Sequence, residues 1–174
     1  MSEPSAVTES RVGEIERERA SFESFFQETH ADLFAALCLI TRNRHEAEEI
    51  MQDAFLKLLE RWDRVSGLDD PTGYLYRTAM NALRKRHRRA KLALRRAVHL
   101  TAVDNDLELI ESREAVVRTL APLNPSQRAA IVLTNLLGYT SDEAASILGI
   151  NPGTVRTLAS RGRTELRKRA GEQV

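Results

Sequence analysis

Gly149 divides an apolar pattern that suits a pair of crossing helices. Read from Gly138, the stretch GYTSDEAASILGINPGTVRTLASRGR has the spacing of a helix-turn-helix. With Gly149 in the turn, Ala144 and Leu148 face inward from the first helix. Ile150 closes the turn, and Val155 and Leu158 face inward from the second helix. Ala145 sits at the crossing, where a larger side chain would push the helices apart. Gly149 takes the positive φ that ends a helix at little cost. Asn151 is then a cap, with Pro152 at the first helical position. The second helix presents Thr154, Arg156, Thr157, Ser160 and Arg161 outward, donors suited to phosphates and to base edges in a major groove. A packed helical pair with a solvated charged face has the same pattern, so the rest of the chain must decide between them.

That rest is helical too. Phe22, Phe25, Phe26, Leu33, Phe34, Leu37 and Ile40 recur at three- and four-residue steps, which predicts a helix from near Ser21 to Thr41. Asn43 and Glu46 form a capping pair for a second helix. Its inner stripe is Ala47, Ile50, Met51, Ala54, Phe55, Leu58, Leu59 and Trp62, and its outer face is acidic. Asp63–Asp70 is a loop, and Asp70-Pro71 caps a third helix with Tyr74, Leu75, Thr78, Ala79, Ala82 and Leu83 inward. That helix runs on into the basic KRHRRAKLALRR. After a change of charge sign come a helix ended by Pro122, one capped at Asn124-Pro125-Ser126-Gln127 with Ala130, Leu133, Leu136 and Leu137 inward, and the opening motif capped by Thr140 and Glu143. No stretch alternates with period two long enough for a strand. The expected fold is all-α: two small helical domains joined by a flexible linker. The boundaries are a disordered tail at 1–20, helical at most near its end, then a first domain at 21–97, a linker at 98–107 and a second domain at 108–174.

Charge separates along the chain more than its total suggests. The formal net charge of the 174 residues is +1, yet Arg84, Lys85, Arg86, Arg88, Arg89, Lys91, Arg95 and Arg96 fall together with no acid among them. Such a run suits phosphates, and Tyr74 and Tyr76 just before it suit unstacked single-stranded bases. Tyr74 reads equally well as a core residue. The one cysteine, Cys38, lies in an apolar pattern and reads as core. His30, His45, His87 and His99 show no ligand spacing, so no metal or cofactor is expected. There is no Gly-rich phosphate loop and no nucleophile elbow. No catalytic residues emerge, and the expectation is not an enzyme. No apolar run suits a membrane span or a signal core, so a cytoplasmic protein without membrane insertion is expected.

In this order the motifs resemble a bacterial sigma-70 family factor of the extracytoplasmic-function (ECF) class, which keeps regions 2 and 4. His45–Trp62, HEAEEIMQDAFLKLLERW, is similar to region 2.1–2.2. Asp70–Arg89, DPTGYLYRTAMNALRKRHRR, is similar to region 2.3–2.4, and Leu120–Arg169 to region 4. The resemblance implies roles. Glu48, Glu49, Gln52 and Asp53 would dock on the clamp coiled coil of the polymerase β′ subunit, and region 4 on the β flap. The loop Val65, Ser66, Gly67, Leu68 and Asp69 would capture a flipped base of the −10 element. Asn81 would contact that strand, and Arg84, Arg88 and Arg89 its backbone. Arg156, Thr157, Ser160 and Arg161 would read the −35 element. The linker would run through the polymerase toward the RNA exit. Core RNA polymerase and promoter DNA are the implied partners, with an anti-sigma factor by family habit. The chain departs from the family at Tyr74, usually Trp, and at Leu158, often a long polar residue; both bear on DNA preference. The alternative is a helix-turn-helix regulator binding palindromic DNA as a dimer without polymerase.

Overall fold

A computed structural model describes residues 5–96 and 111–171. The periodicity of the aromatic stretch becomes one long helix, α1 (Ser5–Thr41). Residues 5–20, read from sequence as a disordered tail, are therefore helical. Once Phe22–Ile40 is packed, adding a residue needs no new nucleus, and Glu14, Glu16, Arg17, Glu18 and Arg19 are good helix formers. Ile15 also lies in a groove with Leu59 and Trp62, so the extension leans on the first half. The linker read at 98–107 lies outside the described residues.

Asn43 caps α2 (Arg44–Leu59), its Oδ1 accepting from the Glu46 N–H at 2.8 Å. α2 buries Ala47, Ile50, Ala54, Phe55 and Leu58. Leu59, expected inside, is 49% exposed, and it sits at the end of the helix where the chain turns away. A one-turn helix, α3 (Trp62–Val65), interrupts the expected loop. It places the Trp62 ring between Phe22 and Phe25, with centroids 5.3 and 5.0 Å away. The Asp70 carboxylate accepts from the Gly73 N–H at 2.7 Å and caps α4 (Pro71–Arg96), which carries the basic run as helix.

The second half begins with α5 (Glu111–Leu120). α6 (Pro125–Ile131) starts with the capping box foreseen at Asn124 and Gln127. A π-helical turn at Val132–Leu136 follows, with the Leu137 N–H donating to Val132 O at 3.0 Å. The extra residue in this turn shifts the helical register. It buries Val132 and Leu133 and leaves Leu136, expected inside, 51% exposed. α7 (Ser141–Leu148) has the Thr140–Glu143 capping box, and the hydrogen bonds from Thr140 hold the Glu143 carboxyl below its ordinary pKa. Gly149 closes α7 at φ 63° and ψ 40°, in the left-handed region. α8 (Pro152–Gly171) completes the helix-turn-helix, with Val155 fully buried and Ala145 at the crossing. Ile150, expected to close the turn, is 37% exposed; Ala144 is fully buried as expected, and Ile147, 2% exposed, fills the inside beside it. Gly162 permits the approach of α8 to α6, since a Cβ there would lie 3.1 Å from Ile131 Cγ1.

The two halves share one core. Leu33, Leu37, Ile50, Leu58, Leu75 and Met80 join Val132, Leu133 and Val155 in a continuous buried cluster. Each such side chain contributes about 1.5–3 kcal/mol. Arg128 is 6% exposed; its Nε donates to Ile40 O at 3.0 Å and its Nη1 to Leu123 O at 2.7 Å. It thereby satisfies a last-turn carbonyl of α1 from the opposite half. Burial, and then the nearby Arg42 charge, lower its pKa.

Candidate nucleic-acid and polymerase interface

The helical repeat sorts the basic run of α4 into two faces. Arg86 pairs with Glu49, and His87 lies 3.6 Å from Glu46, so both turn toward α2. The Glu46 carboxylate, outweighing partial burial, raises the His87 pKa. Asn81, Arg84, Lys85, Arg88 and Arg89 are exposed on the remaining surface. Asn81, Arg84, Lys85 and Arg88 follow at three- and four-residue steps and form a continuous polar and cationic strip. Arg84 donates to Asn81 Oδ1.

At the start of this strip lies a groove of about 430 Å³. Its walls are Lys57 from α2, Glu60 and Arg61 from the turn that follows it, and Tyr74, Arg77, Thr78, Asn81 and Lys85 from α4. Arg61 Nη1 donates to the Tyr74 hydroxyl at 3.3 Å, and this bond raises the Arg61 pKa. Tyr74 is half-buried, as an aromatic platform edged by cations. Arg77 was legible as a neighbour of Tyr74 and Asn81 on one helix face. Lys57 and Arg61 were not, because they come from α2 and the turn after it, which only the packing brings against α4. Tyr76 is different from the reading of it beside the basic strip. It is 3% exposed and packs edge-on against Tyr139, with centroids 5.8 Å apart. Burial raises its pKa strongly, and that of Tyr139 to about 12.

In the candidate −10 loop, Ser66, Gly67, Leu68 and Asp69 are exposed, whereas Val65 is 2% exposed. Val65 anchors the loop in the core and presents no surface to a base. On α2, Glu48, Gln52 and Asp53 are exposed, and Glu49 is partly occupied by Arg86. Leu56, 60% exposed, lies one helical turn past Gln52 and extends that face with an apolar group. An unpaired apolar residue on the outer face was the signal for it.

Arg156, Thr157, Ser160 and Arg161 are all exposed along α8. They follow at the three- and four-residue steps of one face, and Thr157 bonds back to Gly153 O at 2.9 Å. Leu158 is half-buried against the core and leaves this face. Such a row presents two cations and two hydroxyls to a groove.

Two family models match the chain: "Sigma-70 region 2" over residues 25–93 and "Sigma-70, region 4" over residues 113–166. The chain is 30% identical to the ECF RNA polymerase sigma factor SigM of Mycobacterium tuberculosis, over 88% of this chain and 79% of the relative. It is also 30% identical to the RNA polymerase sigma factor CarQ of Myxococcus xanthus, over 84% of this chain and 91% of the relative. In fold it is similar to the sigma factor RpoE of Bartonella quintana, solved with the anti-sigma factor NepR. There the TM-score is 0.68 at 20% identity, over 84% of this chain and 94% of that one. No helix among the described residues is long and apolar enough to cross a membrane. With both halves matched in order, the chain belongs to the sigma-70 family of RNA polymerase sigma factors, in its ECF class.

Proposed function

We propose that this sigma factor docks on core RNA polymerase through α2, traps the melted −10 strand on α4 and its loop, and reads the −35 element through α8. The observation that carries the reading is the strip Asn81, Arg84, Lys85 and Arg88, exposed on one face of α4 beside half-buried Tyr74. Cations there hold phosphates, while the ring offers a π-face to an unstacked base. Capture of a flipped base at Ser66–Asp69 returns the few kcal/mol that unstacking costs, so the duplex opens by binding energy alone. Glu48, Gln52, Asp53 and Leu56 form the docking face for the β′ clamp coiled coil, and the second half meets the β flap. On α8, Arg156 and Arg161 supply the bidentate donors that suit guanine edges, with Thr157 and Ser160 beside them. An anti-sigma factor is the further partner expected of the class. The factor acts in the cytoplasm with the polymerase and contributes binding rather than catalysis. A dimeric regulator working without polymerase is not favoured, because both halves match sigma regions.

The test is run-off transcription with purified core enzyme on a promoter library. Transcripts should start at selected sites only when this protein is added. Gln52→Lys with Asp53→Lys should abolish pull-down of core enzyme while far-UV circular dichroism stays unchanged. Retention of core by that variant would refute the docking face.

A further inference from the structure

Arg61 stands in the turn between α2 and α3, with φ −129° and ψ 16°. Its backbone is held from both sides. The N–H donates to Leu58 O at 3.0 Å, and the carbonyl accepts from the N–H groups of Arg64 and Val65, each at 3.0 Å. The neighbouring Trp62 and Val65 are 6% and 2% exposed and tie the turn to the core. Tyr74 is fixed in the same way at the start of α4. Its N–H donates to Asp70 O at 3.2 Å, and its carbonyl accepts from Thr78 Oγ1 at 2.9 Å. What such backbones leave free is rotation of the side chains, and Arg61 is exposed while Tyr74 is half-buried. The bond from Arg61 Nη1 to the Tyr74 hydroxyl, at 3.3 Å, ties those two side chains together. Both residues wall the groove of about 430 Å³ at the start of the α4 strip. The candidate −10 loop, Ser66–Asp69, lies between them in the chain.

A ring offers its π-face to a base only while its χ1 holds one staggered well, and an unheld ring shares its time among several. Tyrosine carries a group at its far end through which the ring can be held. Phenylalanine has the same stacking area and no such group. We infer that Arg61 is a positioning residue for promoter opening: its guanidinium holds the Tyr74 hydroxyl, so that the ring keeps the orientation in which an unstacked base of the −10 strand stacks on it. The inference rests on the strand-trapping role of α4 proposed above. A single bond at an exposed site suits this task, because it biases the ring without burying it. Immobilising a free side chain on binding lowers affinity about two- to tenfold, and a ring held in advance returns that factor to the opening step. Lys57, four positions before Arg61, walls the same groove and supplies a cation for phosphate.

The test uses holoenzyme assembled from purified core polymerase and the full chain, on the strongest promoter from the run-off library. The probe is 2-aminopurine in the non-template strand of the −10 element, and stopped-flow fluorescence reads strand opening. Pull-down of core enzyme and circular dichroism check docking and folding. Arg61→Met and Tyr74→Phe should each slow opening roughly three- to tenfold, with core binding and helicity unchanged. The double variant should be no slower than the slower single one, because either change frees the ring. Lys57→Met is the control, and its effect should add to that of Tyr74→Phe. Additive effects of Arg61→Met and Tyr74→Phe overturn the proposal and make Arg61 a phosphate contact. A Lys57→Met effect that vanishes in the Tyr74→Phe background overturns it too, since the coupling would then belong to the whole groove. If Tyr74→Ala is slow while Tyr74→Phe and Arg61→Met stay within twofold of wild type, stacking stands and the positioning role alone is overturned. Opening by Tyr74→Ala at the wild-type rate overturns the stacking reading and the proposal with it.

Discussion

Replacing Gly149 separates two costs that meet at one Cα. At φ 63° an alanine carries a left-handed penalty of about 1–2 kcal/mol. Its Cβ would also lie 2.6 Å from Arg84 Nη1 and 3.2 Å from Arg84 Cζ. That contact is with the far end of a flexible, exposed side chain, which swings away at small cost. Gly149→Ala should therefore destabilise by about 1–2 kcal/mol, nearly all of it from the backbone. With an m-value of about 2 kcal/mol/M, the urea midpoint drops by roughly 0.5–1 M. Gly149→Asn provides the control. It has the same Cβ, yet asparagine adopts the left-handed region more readily, so its midpoint should fall by clearly less. Urea unfolding followed by circular dichroism measures both. An alanine midpoint within 0.2 M of wild type would refute the left-handed turn. Equal losses for alanine and asparagine would move the cost from φ to the Arg84 contact.

Arg156→Ala should cost about 1–3 kcal/mol at a matching −35 site in quantitative footprinting of the holoenzyme; unchanged occupancy would remove it from the readers. Replacing Arg84, Arg88 and Arg89 together by Ala should reduce the slope of log affinity against log salt by about 2 for single-stranded DNA, and an unaltered slope would exclude phosphate contact. His87 has its pKa raised, chiefly by Glu46, so the charged contact adds stability below about pH 6.5 and loses it as pH rises through the raised folded-state value. Glu46→Gln should lower the His87 titration midpoint in proton NMR; an unmoved midpoint would place its cause elsewhere.

Much of the site was legible because its signals are local. The exposed row at Arg156–Arg161 follows from helical periodicity plus residue type, and the one at Asn81–Arg88 from the uninterrupted basic run together with the family resemblance that singled out Asn81. The capping boxes at Asn124 and Thr140 follow from residues three apart. The misreadings share a cause. Leu59, Leu136 and Ile150 are apolar residues near helix ends or a π-turn, where strict periodicity no longer tells inside from outside. Val65 looked like loop surface because a one-turn helix leaves too little sequence to show a period. Residues 5–20 looked disordered because their charged composition does not reveal that a packed helix continues into them.

The sequence by itself determined the long amphipathic helices, their caps, the left-handed turn at Gly149 and the family, since each depends on residues within a turn or two of one another or on their order along the chain. Only the tertiary structure decided that the two halves close on each other. Tyr76 and Met80 lie on a second buried face of α4 that the second half covers, and no period within α4 says which partner will cover it. Arg128 reaches the carbonyl of Ile40, 88 positions away, and Arg77 reaches Ser146 across 69. Such contacts depend on how separate surfaces fit in space, and that information is distributed over both halves rather than written in either.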